Sequence, residues 1–279
     1  MGSASRANKR GKDRPKKAQV KKSVPSKLSL APAKITQPRL IENIYSRKRL
    51  FSVLDNALKK PVIWITAQGG AGKTTLITSY LKEKKLPCLW YQIDSGDGDI
   101  ASFFHYMGIA ARYAAPRYKN PLPHLTPEYL GGLPVFTRNY FRELFSRLLG
   151  KSPLPRFPVS PFQVVFDNYQ DAPADSPLHE IIQAGLSEIP EGINVIIISR
   201  TEPPSAFAGL RANNRMNILG WNELELTTEE TSGIVQLKLQ KKLSAEIIQE
   251  LHDKTNGWAA GLVLMLEHQG SADMVQRHG

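Results

Sequence analysis

Cysteine is nearly absent from this chain, with Cys88 alone among 279 residues. One thiol closes no internal disulfide, which excludes a scaffold held by cross-links within the chain and permits a reducing compartment. Cys88 falls in a predicted strand and reads as a small buried hydrophobe. Also lacking is any uninterrupted apolar run near the ~20 residues that a membrane span needs, and the amino terminus has no apolar core of a secretion signal. The expectation is a cytoplasmic protein with no membrane partner. The six histidines show no zinc-ligand spacing, no Ser/His/Asp order suggests hydrolysis at carbon, and no internal repeat is found. The length allows one full α/β core and a smaller accessory unit.

Acidic residues are scarce at one end only. The net charge is +12, yet eleven Lys and Arg against the single Asp13 fall between Met1 and Lys34, which leaves about +2 for everything after. Residues 1–33 are rich in Lys, Ser, Ala and Pro and poor in residues that build a core, so they are expected to form a disordered basic arm. Without interleaved aromatics for base stacking, the arm reads as a solvated tail before it reads as a weak, salt-sensitive contact for nucleic acid.

The rest is arranged around Val62-Ile63-Trp64-Ile65-Thr66-Ala67-Gln68-Gly69-Gly70-Ala71-Gly72-Lys73-Thr74-Thr75-Leu76. An apolar strand, a run of small residues and an apolar-periodic helix follow in the order of a phosphate-binding loop. Glycines let backbone N–H groups turn inward around an anion, and the helix start adds its positive dipole end. Lys73 supplies a compact charge for β and γ phosphates, and the Thr74 hydroxyl suits Mg²⁺. The first position of the motif carries Ala67 in place of glycine. Ahead of the loop, Leu50, Leu54 and Leu58 mark an amphipathic entry helix, beside which Arg47 or Arg49 either touches the ligand or forms a solvated charge pair.

Downstream, Pro87 to Ile93 reads as a second strand, running into Asp94, Asp97 and Asp99. The acids superficially match a calcium loop, but Tyr106 stands where that loop needs Glu. Asp99 is instead expected to cap the next helix, through Phe103 to Ile109. Ala114 to Pro134 reads as a long loop or an interrupted helix, and Val135 to Leu149 as a helix. Phe162-Gln163-Val164-Val165-Phe166-Asp167 is a strand ending in the acid that a nucleotide site needs for Mg²⁺, because strand ends of such a sheet open onto one crevice. Asn168 follows it and cannot take a proton, which weakens water activation there; Asp171 is an alternative. Asn194 to Arg200 is a fourth buried strand. Arg200 is either a γ-phosphate sensor or paired to a carboxylate. Met216 to Trp221 is expected as an edge strand. Thr227 with Glu230 forms a capping signal for two or three closing helices.

With these residues in view the chain resembles the nucleotide-binding module of MalT-like transcriptional activators, among the signal-transduction ATPases with numerous domains (STAND). The likeness rests on Lys34-Ile35-Thr36-Gln37-Pro38-Arg39-Leu40, Arg47 to Leu50, Ala67 to Leu76, Leu89 to Asp94, Asp167 to Gln170, Ile198 to Pro204, Leu224 to Glu230 and Thr255 to Leu262. It implies a P-loop NTPase fold with a five-stranded parallel sheet of order 5-1-4-3-2 and a helical lid. It also implies ATP/ADP as ligand, Mg²⁺, and a switch between a resting ADP form and a self-associated ATP form. An inducer-sensing repeat region and a DNA-binding helix-turn-helix are implied too, and neither is read in these residues, so the chain is expected to be a piece of a larger regulator or a shortened relative. The family usually has two acids where Asp167-Asn168 stand, and often a histidine at Gln170.

The resulting expectation is a basic arm at 1–33, a P-loop core at 34–222 and a helical lid at 223–279, with the lid segment Gly257 to Leu262 closing on the adenine side. Gln68, Gly69, Gly70, Ala71, Gly72, Lys73, Thr74, Thr75 and Arg47 would bind nucleotide, Thr74 and Asp167 would hold Mg²⁺, and Asp167, Asn168 and Arg200 would carry any chemistry. The function expected is an ATP/ADP-dependent switch of a transcriptional regulator with slow or no hydrolysis, DNA being reached only through another domain. The alternatives are a turnover ATPase acting on nucleic acid or protein assemblies, and a nucleotide-blind scaffold.

Overall fold

The computed structural model describes residues 1–2, 32–118, 120–150 and 161–276, of which 269–276 are described by backbone alone. The basic arm therefore lies almost wholly outside the described residues. Five strands make one parallel sheet: β1 (Val62–Thr66), β2 (Cys88–Gln92), β3 (Phe162–Asp167), β4 (Ile193–Ser199) and β5 (Met216–Leu219). Their order is β2-β3-β4-β1-β5, which is the expected 5-1-4-3-2 counted from the other edge.

The sequence pattern explains the order. Every residue of β1, β3 and β4 is buried, whereas β2 and β5 are only partly so. Continuous apolar runs belong to strands covered on both faces, and the mixed ones go to the edges. Alternate side chains divide between two clusters: Val62, Trp64, Val164, Phe166, Val195 and Ile197 face one layer, and Ile63, Ile65, Val165, Ile196 and Ile198 the other. The second layer is built by α1 (Lys48–Ala57) and α2 (Lys73–Lys84). The first is built by α3 (Ile100–Ala114), α4 (Leu133–Leu149), α5 (Leu178–Leu186) and the short α6 (Ala208–Ala212). Pairing of Thr66 with Ser199 and of Gln92 with Asp167 brings the carboxyl ends of the strands level.

Between α3 and α4 the chain makes a 3-10 turn at Pro127–Gly132, and α4 begins at Leu133 with Pro134 in its first turn, where a missing N–H does no harm. Helix α5 is an element the sequence reading left unassigned, although Leu178, Ile181, Ile182 and Leu186 do form one buried face. After β5 come α7 (Trp221–Leu224), α8 (Thr228–Leu239), α9 (Ala245–Thr255) and α10 (Ala259–Gln276). The last three share a cluster of their own around Leu226, Val235, Ile248, Leu251, Leu262 and Leu266. Helix α8 opens with the expected capping box: the Thr227 hydroxyl accepts from the Glu230 N–H, and the Glu230 carboxylate accepts from the Thr227 N–H. No helix among the described residues is long and apolar enough to cross a membrane.

Candidate functional site

Strand β1 delivers the chain to a loop that turns at Gly70 and Gly72, whose φ angles are +76° and +82°. Only glycine takes such angles without strain. Ala67 is not among the residues with positive φ, so alanine is tolerated there. Gly72 caps α2, and Lys73 and Thr74 are its first two residues. This loop-to-helix geometry holds the two side chains at the carboxyl end of the sheet.

Lys73 is buried, and its ammonium donates to the carbonyls of Ala67 and, at 2.9 Å, Gln68. Burial and the charge of Arg200 push its pKa down, opposed by Asp167. The Thr74 hydroxyl lies 3.1 and 3.2 Å from the two carboxylate oxygens of Asp167, 93 residues away at the end of β3. The Asn168 N–H also donates to Asp167 at 2.9 Å. Burial raises the Asp167 pKa against the pull of Thr74, Asn168 and Lys73, with Asp171 adding to the rise. A carboxylate in that condition is short of positive charge.

A cavity of about 220 Å³ opens here, lined by Gly69, Gly70, Gly72, Lys73, Thr74, Thr75, Asn168, Gln170, Ile198 and Arg200. Most of the expected residues thus converge, with Asp167 behind Thr74. Gln68 and Ala71 belong to the loop without lining the cavity. Arg200 makes no ion pair with a carboxylate among the described residues. Asn168 has a left-handed backbone, φ +57°, a conformation that asparagine tolerates better than most residues.

Arg47 is not brought to this cavity. Its guanidinium donates to Glu230 at 2.7 and 3.0 Å and to the carbonyls of Leu224 and Glu225, both at 2.8 Å. Arg49 reaches Glu230 as well. Burial pushes the Glu230 carboxyl up, but the hydrogen bonds of the two arginines outweigh it and hold the pKa below the ordinary value. Of the two readings open for Arg47, contact with the cavity is not observed, and the charge pair that is observed is buried instead of solvated.

Two contributors were not read as site residues. Gln170 lines the cavity and its Oε1 accepts from the Arg200 N–H at 3.0 Å, which ties the end of β3 to the end of β4. Trp258 donates from its indole to the Gly69 carbonyl at 2.9 Å, and the Ala260 N–H donates to the Gly70 carbonyl at 3.0 Å. The available signal for Gln170 was its place three residues after Asp167. Trp258 lies in the segment Gly257 to Leu262 expected on the adenine side, but nothing local marks its partner in the phosphate loop, 189 residues away.

At the neighbouring strand end, Asp99 caps α3 by accepting from Ala101 and Ser102, as expected. Asp97 accepts from Tyr91, Lys34 and the Asp94 N–H.

The donors at the cavity suit a magnesium–polyphosphate pair. Thr74 and Asp167 offer hard oxygens side by side, and the glycine backbone with Lys73 offers donors to an anion. Thr74 and Asp167 would hold the metal, whose part is to neutralise phosphate oxygens.

A parallel sheet of this order, with a glycine-rich, lysine-bearing loop between β1 and α2 and an aspartate ending β3, is the fold of a P-loop NTPase. A solved Walker-type ATPase of Pyrococcus abyssi has the same fold, with a TM-score of 0.52 at 14% identity over 85% of this chain and 70% of that one. In sequence the chain is similar to the transcriptional regulator MalT: 27% identical over 244 residues to that of Vibrio cholerae and 26% over 237 residues to that of Serratia proteamaculans. Each match takes in 85% of this chain and 25% of the relative, so the chain spans about a quarter of the curated relatives' length. The resemblance to MalT-type regulators read from the motifs therefore holds. No family model matches the chain.

Proposed function

We propose that this chain is an ATP/ADP-binding switch module of a cytoplasmic transcriptional regulator. The observation that carries the reading is the contact of Thr74 with Asp167 beside a buried Lys73, in a cavity walled by loop glycines and Arg200. The loop backbone and Lys73 bind phosphates, Thr74 and Asp167 hold Mg²⁺, and Arg200 reads the γ-phosphate through its paired donors. The MalT likeness supports the regulatory setting. Self-association in the ATP state, contact with DNA through a domain outside these residues, and closure of a lid formed by 223–279 belong to the same proposal.

Magnitudes favour a switch. Moving a two-state equilibrium from 1:99 to 99:1 needs roughly 5.5 kcal/mol of preference. Two or three charge-assisted hydrogen bonds of about 1.5–3 kcal/mol each, made in one state alone, suffice. Slow hydrolysis belongs to the same reading: Asn168 and Gln170, which line the cavity, do not take up a proton at neutral pH, and Asp171, the alternative acid, is not among the lining residues.

Titrating labelled ATP and ADP against the chain tests this. The wild type is expected to bind both, with Lys73→Ala weakening the complexes by about 10- to 100-fold. No binding to either protein would favour a nucleotide-blind scaffold, and equal binding to both would count against Lys73 as a phosphate ligand. Asn168→Asp is expected to raise ATP turnover, and an unchanged rate would count against the account of slow hydrolysis.

A further inference from the structure

Four successive carbonyls of the phosphate loop are all engaged. Those of Ala67 and Gln68 accept from Lys73, and those of Gly69 and Gly70 accept from Trp258 and Ala260 at the start of α10. The fit is close: a Cβ at residue 70 would stand 2.5 Å from the Ala260 Cβ and 2.9 Å from the Trp258 indole nitrogen. Gly70 is therefore demanded by the C-terminal helix as well as by its own φ of +76°.

A planar trans peptide points its C=O and N–H in opposite directions. A carbonyl held against α10 turns the N–H of the next residue away from it, so the bond at Gly69 sets the aim of the Gly70 amide, while the Ala71 amide, turned by the bond at Gly70, donates within the loop to the Gln68 carbonyl at 3.4 Å. Lys73 does the same for the two peptides before them. We propose that Trp258 is a positioning residue for polyphosphate binding: seated on Gly69 with Ala260 on Gly70, it preorganises the loop amides that receive the anion. The inference rests on the reading of the loop as a phosphate cradle. It assigns Trp258 to the phosphates and away from the nucleoside.

Two variants separate the possibilities. Trp258→Phe removes the indole N–H and keeps a ring, and Ala260→Val crowds Gly70 from the helix side without altering the loop. Calorimetric titration with pyrophosphate and with ADP, both with Mg²⁺, is expected to show each variant weakening both ligands by a similar factor of about three to ten. Amide hydrogen exchange at Gly70 and Ala71 in the ligand-free protein is expected to quicken in both variants, with the thermal midpoint as a control for folding. Loss of ADP binding with pyrophosphate unaffected would assign Trp258 to the nucleoside and overturn the proposal, as would unchanged affinity for both. A wild type that binds neither ligand would defeat the functional reading itself, and the exchange measurement would still decide whether α10 holds the loop, since unchanged exchange overturns it.

Discussion

Two neighbouring strands each lead to a buried aspartate near a lysine, and the two sites have opposite characters. Beyond β2, Asp97 is fully buried and satisfied: the Tyr91 hydroxyl donates at 2.7 Å, the Lys34 ammonium at 2.8 Å and the Asp94 N–H at 2.9 Å. Lys34 also lies over the Tyr91 and Tyr106 rings. At the end of β3, Asp167 is also buried, and among the described residues its donors are the Thr74 hydroxyl and the Asn168 N–H, while Lys73 bonds to loop carbonyls. The first site closes on itself and fastens the chain preceding α1 to the sheet. In the second, Lys73 and Asp167 feel each other's charge without an ion pair between them, the condition expected of groups kept for a ligand under the function proposed above.

The contrast is best broken from the closed side. Asp97→Ala is expected to lower unfolding free energy by about 3–5 kcal/mol, measured by urea denaturation, because Lys34 and the Tyr91 hydroxyl lose their buried partner. Tyr91→Phe, which removes one donor to that carboxylate, is expected to cost about 1.5–3 kcal/mol in the same measurement. At the open site the sign reverses. Lys73→Met is expected to leave the ligand-free protein within about 1 kcal/mol of wild type and on the stable side, since it removes a cation disfavoured by burial and by Arg200; Mg²⁺–ADP should invert that order of melting temperatures.

The smallest effect is the pH dependence at Asp167. Its pKa in the folded chain lies above the ordinary carboxylate value, so the folded state holds that proton longer than the unfolded one does. The group's contribution to stability therefore falls as pH climbs from the ordinary range through the raised value. Asp167→Asn removes this fall. It is expected to melt slightly above wild type at pH 8, by less than about 1 kcal/mol in stability, the gap closing as pH drops to the ordinary carboxylate range. A gap that widened on acidification would contradict the sign.

The strands, the loop and the acid of β3 were legible because their signals are local: apolar runs, glycines before a lysine, a strand ending in a carboxylate. Helix α5 escaped because nine residues give little more than two turns of periodicity. Arg47 exposed the limit of local reading. Its own neighbours announce a basic residue beside the entry helix, while the choice between ligand and ion pair was made by Glu230, 183 residues on. That acid was itself legible as the second half of a capping box, but one carboxylate serving both a helix start and two arginines is a tertiary fact. Trp258 is of the same kind.

The strand order has a consequence for biosynthesis. β1 emerges first, yet its partners are the last two strands of the sheet, with Val62 beside Val195 on one side and Met216 on the other. Its apolar side chains must stay without strand neighbours until the ribosome has delivered β4 and β5, which makes assembly slow and nascent chains halted before Leu219 prone to aggregate.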